Sequence, residues 1–178
     1  EEFTQRAIDD YRSKYAEIVP MHLVEASSRK SVAAAFGVEE DELPEDIYQN
    51  VLRRYELGDV GFYFPGEDKF IIIFARDEIR DGKELEDALI HENIHALINT
   101  RTNAPLRVGK WLYDNPVDKV MRDIKDAVIA KYPADRHYEE MLTNWLAPYM
   151  VLGGSRKALE KLPVEYRPYI QYIFNELK

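Results

Sequence analysis

The amino-acid sequence predicts an α+β domain, and three observations carry that reading. One sharp β-hairpin signal stands in the first half of the chain. Helical periodicity dominates the rest, above all the second half. Finally, 178 residues with 46% hydrophobic content suffice for one buried core and leave little room for two. The expected arrangement is a single domain over 1–178, with an α/β part over about 1–100 and a helical part over about 101–178.

Taken in order, residues 3–18 set Phe3, Ala7, Ile8, Tyr11, Tyr15 and Ile18 at the spacing of one helix face. "VPMHLVEA" (Val19–Ala26) reads as a short strand. "SSRKSVAAAFG" reads as a helix capped by Ser28 and stopped by Gly37, and a second helix follows Pro44 as far as Gly58. In "VGFYFPGEDKFIIIFA" aromatic and β-branched runs flank the turn "PGED", which supplies turn dihedrals. The arm Phe70–Ala75 is apolar nearly throughout, as for a strand covered on both faces, whereas Val60–Phe64 has the character of a sheet edge. Asp81 is placed to cap a helix near 83–100. Pro105, Gly109 and Trp111 suggest a loop over 102–114. Helices are expected at 116–131, 137–151, 155–162 and 164–177, separated by Pro133, Gly153–Ser155 and Pro163.

Composition excludes several function classes. A net charge of −9, with 24 basic and 33 acidic side chains, provides no dense basic surface for nucleic acid. No apolar run approaches a membrane span, the longest being Phe70–Ala75. The absence of cysteine removes disulfides, Cys-based zinc sites and a Cys nucleophile. No signal peptide is visible. A cytoplasmic chain is favoured, and the mature form of a secreted protein or an excised domain of a larger one would read the same way. The acidic stretch Glu39–Asp46 lacks the spacing of a calcium loop and reads as solvated.

The chemistry concentrates in "EDALIHENIHALIN", where His91-Glu92-Asn93-Ile94-His95 forms H-E-x-x-H. A shuffled chain of this composition would contain about 0.01 copies of that pattern. Residues i and i+4 share a helix face one turn apart, so two imidazoles can reach one ion. Glu92 projects about 100° round from His91, where its carboxylate can take a proton from water beside the metal. Ile90, Ile94 and Leu97 on one arc and Leu85, Leu89 and Ala96 on another leave Ala88, His91, Glu92 and His95 facing a gap. A catalytic zinc needs a third protein ligand. The local extension with Gly and a third His fails, because Ile98 and Arg101 occupy those positions. "DRHYEEMLTNWLAPYM" then offers His137, Glu139 and Glu140 at the head of a later helix.

With both segments in view, the chain resembles the zincin metallopeptidases, in the branch whose third ligand is a Glu on a later helix. "ALIHENIHALIN" after a hairpin, followed by "EEMLTNWLAPYM", is similar to the ImmA/IrrE-like peptidases and to the metallopeptidase modules of phage and plasmid polyvalent proteins. The likeness covers roughly residues 60–150. It implies a zincin-like fold, in which a small mixed sheet with an antiparallel hairpin packs on the H-E-x-x-H helix ahead of a mostly helical half. It implies Zn2+ held by His91, His95 and Glu140, the last selected by its spacing to Asn144, with Glu139 and His137 as rivals. Thr143 stands where the family has Ala. The implied activity is hydrolysis of a peptide bond with Glu92 as general base, on a protein or peptide bound as an extended strand along Val60–Phe64. The alternative is a zincin-fold binding or regulatory module that retains the metal with little or no turnover.

Other residues weigh less. His137, Asn144 and Tyr149 are candidates to support the ligands or to stabilise the transition state, with Tyr113 and Tyr138 behind them. His22 reads as a satisfied strand histidine, and Trp111 and Trp145 as packing residues.

Overall fold

A computed structural model describes residues 2–67, 69–76 and 81–178. The chain is mixed α+β and predominantly helical, and it forms two compact units, Glu1–Ala96 and Leu97–Lys178.

In the first unit, helix α1 (Glu2–Lys14) leads into strand β1 (Met21–Val24), then α2 (Arg29–Ala35) and α3 (Glu45–Glu56). The local chemistry matches the sequence signals. Ser28 caps α2 by accepting a hydrogen bond from the Ser31 N–H. Gly37 and Gly58, at φ 70° and 92°, take the left-handed conformation that ends α2 and α3 and that a side chain would resist. The hairpin strands are β2 (Gly61–Phe64) and β3 (Phe70–Phe74). Of the expected turn, Asp68 lies outside the described residues.

The three strands form a mixed sheet in the order β1-β3-β2. β1 runs parallel to β3, pairing Met21 with Ile71, and β2 runs antiparallel to it, pairing Phe64 with Phe70. β3 is therefore central, and all five of its residues are buried, which accounts for its continuous apolar run. Among the described residues β2 is an edge strand, as its mixed character suggests. On one sheet face Val24, Phe62, Phe70, Ile72 and Phe74 share a core with α2 and α3 through Val32, Ala33, Tyr48 and Val51. Alternation sends Met21, Ile71 and Ile73 to the other face.

Helix α4 (Gly82–Thr100) starts as expected: the Asp81 carboxylate accepts from the Lys83 N–H at 2.9 Å, satisfying one of the donors a helix start leaves open. Asn93 fixes its middle. Fully buried, it accepts from the Ile18 N–H at 3.2 Å and donates to the Leu89 carbonyl at 2.8 Å, with its amide 3.6 Å from the Met21 sulfur. Lys14 and Glu86 add an ion pair at 3.0 Å.

The second unit contains α5 (Leu106–Asp114), α6 (Lys119–Lys131), α7 (His137–Val151), α8 (Ser155–Glu160) and α9 (Arg167–Leu177). The loop expected over 102–114 is a correction, since most of it is α5. Pro105 stands at the N-cap, where its missing N–H costs nothing. Gly109 is not a loop breaker either. A Cβ there would lie 2.1 Å from the Tyr138 carbonyl oxygen, so its bare backbone lets α5 close on α7. α6 begins at Asp118, whose carboxylate accepts from the Met121 N–H. α7 is the hub of this unit, packed by α5 and α6, and most of its residues are buried. Among the described residues no helix is long and apolar enough to cross a membrane.

Candidate metal centre

Along α4, from Leu85 to Ile98, nine of the fourteen side chains are buried. The partly exposed ones are Glu86, Asp87, Ala88, His91 and Glu92. Ala88, His91 and Glu92 form a strip of i, i+3 and i+4 positions, continued by His95, which is buried to 5% exposure. This is the gap between two apolar arcs that the helical wheel predicts. Within it the His91 and His95 rings meet edge to face, their Nε2 atoms 3.1 Å apart.

Glu140 sits in the first turn of α7 and is 1% exposed. Arg136 donates to its Oε1 at 3.0 Å. The Asn144 amide donates to its main-chain carbonyl at 2.7 Å and lies 3.4 Å from its Oε2, while the Thr143 hydroxyl bonds the same carbonyl. One ring nitrogen from each of His91 and His95 and one carboxylate oxygen of Glu140 all lie within 4.8 Å of one another, so this buried group could hold a metal ion. The donor chemistry fits. Two imidazoles and a carboxylate are a recurrent three-ligand set for zinc, and cobalt or manganese accept it as well. Two nitrogens each about 2.0–2.1 Å from one tetrahedral ion would stand about 3.3 Å apart, close to the 3.1 Å between the histidines.

The rival ligands go elsewhere. Glu139 is half-buried and accepts from the Asn99 amide at 3.0 Å. His137 Nε2 is 2.8 Å from the Tyr132 carbonyl and its ring stacks on Tyr113 at 5.6 Å, so it closes the α6–α7 turn. Tyr149 lies against Trp145 at 5.1 Å, over two turns beyond Glu140. Among the described residues His137 does not belong to the ligand group. Tyr138 meets Tyr113 edge to face. His22 meets Phe70 edge to face at 5.5 Å, and burial pushes its pKa down. Burial pushes that of Asp87, one turn before His91, up.

Two supporting residues escape a motif search. Asn93 occupies a variable position of H-E-x-x-H, and only its alternation with the histidine face marks it as core. Arg136 stands four residues before Glu140, a spacing that signals a helical ion pair but not which acid matters.

Compared with known proteins, the chain matches no family model, no curated protein and no solved structure.

Proposed function

We propose that this chain is a zinc-dependent peptidase of the zincin type, with His91, His95 and Glu140 as metal ligands and Glu92 as general base. The observation that carries the reading is the convergence of the two helix-borne imidazoles with one buried carboxylate, beside a half-exposed Glu92. When bound, a divalent cation would supply Lewis acidity, lowering the pKa of water toward about 7.

The remaining steps belong to the chain's own residues. Glu92 takes the proton from the attacking water and returns it to the leaving amine nitrogen. Asn144 orients Glu140, as second partners commonly orient metal-ligating carboxylates. Asn93 clamps the middle of α4, so the histidine face keeps its orientation. A peptide substrate would lie along β2, pairing as an extended strand by main-chain hydrogen bonds.

The test is hydrolysis of a peptide library and of unfolded protein by wild type and Glu92→Gln. The variant should keep its zinc and its fold and lose turnover by several orders of magnitude, because an amide cannot accept the proton. Equal turnover would remove Glu92 from the mechanism. A wild type that holds zinc and cleaves nothing would favour the binding or regulatory module instead.

A further inference from the structure

We propose that Arg136 is a resident counter-ion for Glu140, which the guanidinium and a metal ion hold in competition. The inference rests on reading Glu140 as a metal ligand and adds a device that sets when the metal can bind. A carboxylate that is 1% exposed is costly to leave charged without a cation. Arg136 supplies one at 3.0 Å from Oε1. That carboxylate is also the one grouped with the ring nitrogens of His91 and His95, so a metal arriving there meets a site already carrying a positive charge.

The two partners of this ion pair differ sharply in freedom. Glu140 is buried, whereas the Arg136 side chain is 42% exposed and can carry its head toward water while its stem stays packed. While it bonds Glu140, its guanidinium carbon also stands 5.1 Å from the Tyr132 ring centroid, a distance at which a cation is attracted to an aromatic face, so it keeps an attractive neighbour on leaving the carboxylate. The main-chain carbonyl of Tyr132 is bonded in turn to His137 Nε2. His137 thus pins the turn from which Arg136 reaches Glu140. With the metal absent, Arg136 neutralises the acid and stabilises α7. With a metal bound, two cations would contend for one carboxylate, and the guanidinium would leave Glu140 for water along its exposed side. Mutual exclusion is reciprocal: whatever strengthens the Arg136–Glu140 pair weakens metal binding by the same factor.

The experiment measures zinc affinity, by competition with a chromophoric chelator, and the melting temperature of the metal-stripped protein for wild type, Arg136→Gln and Arg136→Lys. Arg136→Gln should bind zinc on the order of tenfold more tightly, while its stripped form melts several degrees lower. Arg136→Lys, a point charge without the planar fork, should fall between it and wild type. A merely structural role would lower stability and affinity together, so unchanged or weaker zinc binding by Arg136→Gln overturns the proposal. Should the stripped glutamine variant fail to fold, the lysine variant decides by the same sign. Stoichiometric, His95-dependent zinc binding with no gain in either variant overturns this inference alone. Binding that is neither stoichiometric nor His95-dependent overturns the metal centre and the inference with it.

Discussion

Gly109→Ala separates packing from helix propensity. In an exposed helix interior the change would stabilise by about 0.8–1.0 kcal/mol, because glycine has more backbone freedom to lose. At this position the new Cβ would lie 2.1 Å from the Tyr138 carbonyl oxygen and 2.8 Å from its carbon. Both atoms belong to main chain, so no rotamer change relieves the overlap, and α5 and α7 must part by about 1 Å to restore ordinary contact. Overpacking of this kind costs about 1–3 kcal/mol and sometimes more. Set against the propensity gain, the net loss should be about 2 kcal/mol, near the upper end because the obstacle is rigid. For a chain of this length that is a fall of about 4–8 °C in melting temperature. The assay is thermal unfolding by circular dichroism, with Gly82→Ala as control, since a Cβ there meets nothing within 4 Å. Tyr138 directly precedes Glu139 and Glu140, so Gly109→Ala should also weaken zinc binding. A Gly109→Ala variant as stable as Gly82→Ala would refute the close-approach argument.

Two further predictions concern stability. Asp118 is held below the usual carboxylate range chiefly by the Met121 N–H and, against the opposing effect of burial, by Lys161; its contribution is therefore complete above the unfolded pKa of about 3.9 and is lost as pH falls through the lower folded value. Asp118→Ala should cost about 1 kcal/mol at pH 7, and urea midpoints should show that gap closing as pH falls below about 3.9; a gap unchanged with pH would count against the cap. Asn93→Ala leaves the Ile18 N–H without its acceptor and should cost about 1–3 kcal/mol with faster exchange of that amide, yet it should keep zinc stoichiometry. Loss of metal with unchanged stability would instead make Asn93 part of the site.

How much was legible in the sequence follows the range of each interaction. The caps at Ser28 and Asp81, and the all-apolar β3, are local or periodic signals, and the structure has each of them. His91, Glu92 and His95 are legible for the same reason, because one helix turn brings the two imidazoles together. The choice among His137, Glu139 and Glu140 depends on the burial of α7, which wheel geometry alone left open between the two acids. The structure groups Glu140 with the histidines and gives Glu139 to Asn99. Gly109 was misread because glycine punctuates a loop and permits close helix packing with the same letter. Nothing near it in sequence reveals that Tyr138 lies opposite. Arg136 is a half-exposed charge whose importance comes from a buried partner, and burial is a tertiary property.

The central claim is that His91, His95 and Glu140 hold one metal ion together. The most direct measurement is zinc stoichiometry and affinity, by chelator competition, on wild type, His95→Ala, Glu140→Ala and Glu139→Ala prepared without nickel affinity. The account predicts one zinc per chain in wild type, marked loss in His95→Ala and Glu140→Ala, and affinity close to wild type in Glu139→Ala. Equal zinc binding by all four proteins, or loss in Glu139→Ala with retention in Glu140→Ala, would contradict it.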